Sequence, residues 1–446
     1  MNLPFKKFTR EKRNVSSIKE MQWKHAQLEQ NKSINLPLQD YLTELPNRIS
    51  FQLEMKKLIQ IGKPFSVVTL DLDRFKHINM NLGQRIADKF LQNVSQYMID
   101  YLSEDYRLAR IGGDKFGIFL QKMQAEDEVK AFVSNLIRYL NTSFIIDKQE
   151  IHLTASAGIS SYPEHGKTAD TLLKSAELAL SQAKKIGRKK FVLFSPDIEN
   201  QFTKQYYIER DLRDALEENQ FELLFQPRVE AKTGKIVKAE ALLRWNHPIL
   251  GPLTPEEFIP LAEEIGLIYR MTNWVMNEVA QFIEQVKETE VPIVPISVNI
   301  SSNYFLQKDW KEHLNTLLDK THIHPSLIEF EITESTRIHH EEKMKSDLEF
   351  LREKGFSIAL DDFGKGFSSI SHIQKFPIQT IKIDQSFTED VVTSQKTNRL
   401  VKSLIVLAKN LNLDIVAEGV ETKEQLDFGL RRWQRCFTFC MKMHNS

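Results

Sequence analysis

Six oxygen-bearing residues and one lysine stand out in the second half of the chain: Glu240, Asn299, Glu331, Asp361 with Asp362, Glu418, and Lys382. The oxygen donors lie at the ends of apolar, strand-like runs, and Lys382 lies inside another such run. Carboxylates joined by one amide oxygen suit a hard cation such as Mg²⁺ or Mn²⁺. The set lacks Cys and His, which separates it from a zinc site. Taken singly, an acid at a strand end is more often a helix N-cap or a solvated loop residue. Asp361-Asp362-Phe363-Gly364 alone reads as a turn. The same feature on five strands weighs against that plain reading. Two adjacent acids after a buried strand are costly to leave unpaired, and a cation offsets that cost.

Positioning such residues needs a scaffold that brings strand ends together. From about residue 206 strand and helix alternate every 20 to 35 residues or so, through Phe221 to Phe225, Ile236 to Leu243, Ile296 to Asn299, Ile328 to Ile332, Ser357 to Leu360, Thr380 to Ile383 and Asp414 to Ala417. A helical stretch covers about Ile268 to Val286. This rhythm predicts βα units in a largely parallel sheet closed as a TIM-like (β/α) barrel, whose C-terminal strand ends share one face.

Residues 40 to 194 read differently. Phe65 to Leu70 leads into Asp71-Leu72-Asp73, and Arg107 to Ile111 and Phe116 to Leu120 flank Gly112-Gly113 as a hairpin. Leu153 to Ile159 is a further strand, and Thr171 to Lys185 has helical periodicity with Gly187 as its C-cap. The expectation is an α+β sandwich with a mostly antiparallel sheet. Residues 1 to 39 form a basic connecting segment in which Ile18, Met21, His25 and Leu28 recur at helical spacing, as a connecting or membrane-surface helix would. A linker is expected at 195 to 205, around Ser195-Pro196-Asp197.

The 446 residues allow two or three domains. Lys plus Arg equals Asp plus Glu at 60 each, so no global field draws the chain to a nucleic-acid polymer. Two cysteines, Cys436 and Cys440, argue against a disulfide scaffold. No apolar run approaches the roughly 18 to 20 residues of a membrane span, and the basic N-terminus lacks a signal-type apolar core. These features lead us to expect a soluble, cytoplasmic protein.

The second-half residues also spell a family. Glu240-Ala241-Leu242-Leu243-Arg244-Trp245, Ser297-Val298-Asn299-Ile300-Ser301, Glu331-Ile332-Thr333-Glu334, Asp361-Asp362-Phe363-Gly364, Ile381-Lys382-Ile383-Asp384 and Ala417-Glu418-Gly419-Val420-Glu421-Thr422 follow in its order. Over about 206 to 427 the chain resembles the EAL domains, barrels that hydrolyse cyclic di-GMP to linear pGpG with two divalent cations, Mg²⁺ or Mn²⁺. The resemblance implies that Glu240, Asn299, Glu331, Asp361 and Glu418 hold one metal, and that Asp361 and Asp362 help hold the other. It implies that Asp362 orients the attacking water and that Lys382 contacts that water and a phosphate oxygen. Arg244 would grip a phosphate, Glu334 would brace the loop after Asp362, and Glu421 would support substrate or metal placement.

The match stops near Asp427. EAL domains continue with a Gln-Gly-Tyr segment that supplies the last barrel strand and a glutamine facing the site. Here the chain reads Phe428-Gly429-Leu430-Arg431-Arg432-Trp433, and from Phe428 to Ser446 it has four Lys or Arg and no acid. The tail reads as a shifted or truncated reading frame, with a natural divergent tail as the alternative. The expected consequence is a barrel incomplete at its last strand, with two exposed strand edges.

Asp40-Tyr41-Leu42-Thr43-Glu44-Leu45-Pro46-Asn47-Arg48, Asp71-Leu72-Asp73-Arg74-Phe75-Lys76, Arg110-Ile111-Gly112-Gly113-Asp114-Lys115-Phe116 and Ala183-Lys184-Lys185-Ile186-Gly187-Arg188 resemble the GGDEF domain of diguanylate cyclases, over about 38 to 194. The resemblance implies a homodimer with one GTP per subunit. It makes Asp71 and Asp114 metal ligands, Asn79 and Asp88 guanine contacts, and Lys184 and Arg188 phosphate contacts. Lys115 departs from it by standing where the family has an acid, which reverses the local electrostatics of a metal site. Met80 and Gln84 replace the usual Asp and His, and Ser103 and Tyr106 replace the Arg and Asp of the product-inhibition site. The expectation is a degenerate, cyclase-inactive domain that serves as a GTP-binding regulator or as a dimerisation module. Two functions stay open for the whole chain: a cyclic di-GMP phosphodiesterase, or a catalytically inactive receptor for that dinucleotide.

Overall fold

A computed structural model describes residues 38–102, 106–121, 125–333, 341–364, 373–430 and 437–441. The N-terminal segment through residue 37, Ser103, Glu334 and Cys436 lie outside the described residues. The chain divides into two compact units between Thr203 and Lys204.

The first unit runs α1 (Arg48–Ile61), β1 (Phe65–Leu72), α2 (Phe75–Leu82), α3 (Gln84–Tyr101), β2 (Tyr106–Gly112), β3 (Lys115–Leu120), α4 (Glu126–Leu140), β4 (Ser143–Ile146), β5 (Gln149–His152), β6 (Ala155–Tyr162), α5 (Ala169–Lys185) and β7 (Phe191–Leu193). Its sheet has the order β2-β3-β1-β6-β7, antiparallel except for β6 with β7, while β4 and β5 form a separate hairpin. β1 is central and all eight of its residues are buried, so it reads as a continuous apolar run that ends in acids. α5 starts where Thr168 caps the backbone N–H of Thr171 and Thr171 returns the bond.

A 20-residue helix, α6 (Pro196–Ala215), takes in most of the expected linker at 195–205. Pro196 at the first helical position, with Asp197 and Glu199 in the first turn, favours helix over loop there.

The second unit continues with β8 (Phe221–Glu230), β9 (Ile236–His247), β10 (Gly251–Leu253), α7 (Pro255–Glu264), α8 (Ile268–Lys287), β11 (Ile296–Asn299), α9 (Trp310–Thr321), β12 (Ile328–Thr333), α10 (Glu341–Lys354), β13 (Ser357–Phe363), β14 (Thr380–Ile383), α11 (Gln385–Asp390), α12 (Gln395–Asn410), β15 (Asp414–Val420), α13 (Lys423–Leu430) and β16 (Phe437–Met441). β9, β11, β12, β13, β14, β15 and β16 pair in parallel in that order. β8 runs antiparallel between β16 and β9 and closes the ring.

The barrel is therefore complete. The expected gap at the last strand is filled by Phe437–Met441, which pairs with β15 on one side and β8 on the other. The tail carries no family motif, yet its backbone still supplies the eighth strand. Five residues are enough for a strand when an open edge waits on each side, and Phe437, Thr438 and Phe439 favour the extended chain.

The strand sequences explain the barrel's polarity. β12 reads Ile-Glu-Phe-Glu-Ile, and both kinds of residue are buried. Ile328, Phe330 and Ile332 join the apolar core shared with buried residues of α8, such as Met276 and Val279. Burying such a side chain contributes about 1.5 to 3 kcal/mol. Glu329 and Glu331 point the other way, to the barrel axis, where their partners are. Charge tolerates this burial only when it is paired.

Candidate functional site

The axial side chains stack in two layers, because inward residues recur every second position along a strand. The upper layer holds Glu240, Asn299, Glu331, Asp361, Lys382 and Glu418. Lys382 is fully buried and gathers the acids: its Nζ donates to Glu331 Oε2 at 2.6 Å, Glu240 Oε2 at 3.0 Å and Asp361 Oδ2 at 3.1 Å, and lies 2.7 Å from Glu418 Oε1. Asn299 Nδ2 donates to Glu240 Oε1 at 3.0 Å. Carboxylate oxygens of Glu240, Glu331 and Asp361 all lie within 4.8 Å of one another. The fold thus brings six of the sequence's candidates to one rim from six parallel strands, β9 and β11 to β15.

Two irregularities aim the acids. The β13–β14 register slips between Leu360 and Phe363, and Asp362 takes φ +54°. The β15–β16 register slips between Ala417 and Val420, around Glu418. Bulges of this kind re-aim side chains beside functional sites, and a left-handed non-glycine residue there is strained. Gly419 has φ +65°, and a Cβ at that position would overlap the Gln385 side chain, so only glycine fits after Glu418.

The electrostatics show a cluster short of positive charge. Burial alone would raise Glu240, but Lys382 and Arg228 hold its carboxyl below the usual range. Burial raises Asp361, with Glu240 and Asp362 adding to it against the pull of Lys382. Burial also pushes Glu418 up to about 7, again with Asp361 and Glu240 adding and Lys382 opposing. Burial disfavours a charged Lys382, yet Glu240, Asp361 and Glu418 outweigh that and raise its pKa. Four carboxylates face the cations of Lys382 and Arg228 alone among these residues. One divalent ion would offset the difference, and the all-oxygen donor set fits Mg²⁺ or Mn²⁺.

The lower layer went unnoticed in the sequence. Arg228, with no exposed surface, donates Nη1 to Glu329 Oε1 at 2.7 Å, pairs through Nη2 with Glu331, and reaches Glu240 Oε2 at 3.6 Å. Glu329 also accepts from Ser297 Oγ at 2.7 Å, from Thr380 Oγ1 at 3.2 Å and from Lys238 Nζ. Burial would raise Glu329, but Lys238 and Arg228 bring it down to about 2. The signal was available: Lys238, Ser297, Glu329 and Thr380 each stand two residues before an upper-layer residue. Arg244, half-buried further along β9, donates Nη1 to Leu243 O at 2.9 Å. Glu421 is exposed at the start of the α13 turn, where its N–H donates to Gln425 Oε1 at 2.8 Å.

In the first unit Asp71 is buried at the end of β1, 2.5 Å from Lys184 Nζ on α5, and Lys115 is its register partner on β3. Burial raises Asp71, reinforced by Asp114 and opposed by Lys184 and Lys115. These four candidates are therefore brought together. Asn79 is exposed on α2, Asp88 half-buried on α3, and Arg188 exposed after α5. Asp73 is occupied structurally, accepting from Thr154 Oγ1 at 2.9 Å and Ser156 Oγ at 2.8 Å. Asp40 likewise locks its own turn through Thr43 and takes Arg110 Nη1 at 2.8 Å.

The architecture is that of an α+β domain of cyclase type followed by a TIM-like barrel with an acidic rim. The chain belongs to the EAL domain family: the family model matches residues 209–431, and that of the diguanylate cyclase GGDEF domain matches 38–190. The bifunctional diguanylate cyclase/cyclic di-GMP phosphodiesterase MucR of Pseudomonas aeruginosa is 33% identical over 89% of this chain and 58% of its own length. The cyclic di-GMP phosphodiesterase PdeR of Escherichia coli is 32% identical over 86% of this chain and 58% of its own. The chain thus spans little more than half of these relatives. The S helix-GGDEF-EAL structure of Vibrio cholerae LapD, bound to c-di-GMP, aligns over 94% of this chain and 98% of its own, with TM-score 0.53 and 21% identity, a likeness of fold. No helix among the described residues is long and apolar enough to cross a membrane.

Proposed function

We propose that the second unit is a phosphodiesterase that hydrolyses cyclic di-GMP to pGpG, and that the first unit regulates it without synthesising the dinucleotide. The observation that carries the first part is the convergence of Glu240, Glu331, Asp361 and Glu418 on Lys382 at one barrel rim. The names of the two relatives over the shared region support the same substrate.

In this reading Glu240, Asn299, Glu331, Asp361 and Glu418 hold one Mg²⁺ or Mn²⁺, and Asp361 and Asp362 help hold a second. Bound there, such ions neutralise phosphoryl charge and make water a better nucleophile at neutral pH. Lys382 keeps its proton and turns one of the three N–H groups it gives to the acids toward a phosphoryl oxygen as charge grows on it. Asp362 orients the water so that its oxygen bonds phosphorus in line as the opposite ester bond breaks. Arg244 holds a phosphate, and Glu421 supports placement from the loop after β15. Glu240, Glu331 and Lys382 have little or no exposed surface, and electrostatic interactions at the base of the site are strengthened accordingly.

In the first unit, Lys115 and Lys184 supply the positive charge that a cation would bring to Asp71. This supports a domain that makes no cyclic di-GMP and serves as a GTP-binding regulator or dimerisation module. The test uses the full chain with Mg²⁺ or Mn²⁺: cyclic di-GMP should yield pGpG, and Glu240→Ala should abolish the product. Binding of the dinucleotide with no pGpG from the wild type would replace this reading with a receptor.

A further inference from the structure

Beneath the rim lies a second layer that makes no direct claim on a substrate. Arg228 links this layer to the rim. Its guanidinium is planar and presents donors in a fixed fork. One arm is anchored to Glu329, and the other meets Glu331 and approaches Glu240. Glu329 cannot shift easily: Ser297, Thr380 and Lys238 hold it from three other strands. Arg228 itself sits on β8, with Lys238 of β9 and Cys440 of β16 as backbone register partners. The fork is therefore fixed at both its root and its far end.

We propose that Arg228 is a positioning residue for the cation site, holding Glu240 and Glu331 in the direction that receives the ion, with Glu329 as its anchor. The role rests on the cation site proposed above and adds a residue outside the donor set. Two features separate it from a generic buried ion pair. The fork contacts two of the three acids whose oxygens cluster within 4.8 Å, and it does so from below, on the side away from the rim. Lysine at 228 would keep the charge but lose the second arm, so charge and geometry can be separated.

The test is Mn²⁺ binding by isothermal calorimetry, paired with thermal melting, on the full chain and on Arg228→Lys and Glu329→Gln. Arg228→Lys should weaken Mn²⁺ binding by about ten- to a hundredfold, the usual effect of removing an outer-shell partner. Glu329→Gln, which leaves Arg228 in place but loosens its anchor, should weaken it in the same direction by less. A merely structural role would lower the melting temperature and leave the Mn²⁺ affinity of the folded protein within twofold of wild type, and that result overturns the proposal. If Arg228→Lys does not fold, Glu329→Gln decides alone. Unchanged affinity in both variants, with wild type binding Mn²⁺, defeats only the role of Arg228. No Mn²⁺ uptake by wild type defeats the cation site and this role together.

Discussion

Lys382 Nζ lies 2.6 Å from Glu331 Oε2, with neither group exposed to solvent. The ammonium sits among the same acids proposed to hold cations, so it is both their counter-ion and their spacer. Lys382→Met should leave four carboxylates facing one another with only Arg228 to offset them. Removing one partner of a buried ion pair costs about 3 to 5 kcal/mol. Urea unfolding in a chelating buffer should show a loss of that size, and saturating Mn²⁺ should recover part of it. Equal stability of variant and wild type in the chelator would show that Lys382 is not the counter-ion of this cluster. If Lys382 is the donor to the reacting phosphate that we propose, hydrolysis of cyclic di-GMP should also fall by about a hundredfold or more.

Much of this arrangement could be read from residue types. The upper layer is visible because Glu240, Asn299, Glu331, Asp361, Lys382 and Glu418 interrupt or end apolar runs, and alternation along parallel strands sends such residues to one axis. The lower layer was missed because a buried Arg228 in β8 looks like an ordinary polar residue of an exposed face. Only the closed ring shows that its face points inward. The closing strand was missed for a related reason. β16 is five residues long and has no motif, and the two edges it pairs with are visible only in the closed ring. The helix through the expected linker follows from Pro196 and the acids behind it, which outweigh the Ser-Pro-Asp turn signal.

The first unit makes a charge-reversal test available. Lys115 faces Asp71 across the β1–β3 pair, while Lys184 lies 2.5 Å from the same carboxylate. Both lysines compete with any divalent ion for Asp71. Lys115→Glu should therefore strengthen binding of GTP in the presence of Mg²⁺ by about tenfold, equivalent to about 1.4 kcal/mol. Calorimetric titration of GTP into both proteins, with Mg²⁺ and with chelator, measures it. The gain should vanish in the chelator. A gain of the same size without Mg²⁺ would mean that Lys115 acts on the domain's folding and not on a metal site.

His165 gives the first unit a pH signature. Its Nδ1 accepts the N–H of Ser161 at 2.9 Å, which requires an unprotonated nitrogen, and Ser175 Oγ donates to its backbone carbonyl at 2.9 Å. Burial lowers its pKa below the ordinary 6.5, against the opposing pull of Glu164 and Glu126. The unfolded chain therefore takes up a proton at higher pH than the folded one. The stability from neutral His165 is full above the unfolded value and declines as pH falls below it. Thermal melts between pH 7.5 and 5.5 should show the first unit's transition falling with pH. His165→Asn, whose carbonyl can still accept from Ser161, should flatten that slope. A slope unchanged by the substitution would assign the pH dependence to other groups.

The closing strand offers the sharpest test of the barrel. Thr438 pairs with Val416 of β15 and with Glu230 of β8, so it lies in the interior of the sheet. Proline there removes a ladder hydrogen bond and fits poorly between two partners, so it should destabilise the closing strand. Thr438→Pro should lower the melting transition of the second unit and leave that of the first unchanged, as read by differential scanning calorimetry of the full chain. Because Cys440 of β16 is the register partner of Arg228 on β8, the damage should reach the cation site as well. Mn²⁺ affinity should weaken along with stability. If the second unit melts as in wild type and binds Mn²⁺ equally well, residues 437–441 do not close the ring, and β8 and β15 stand as free edges.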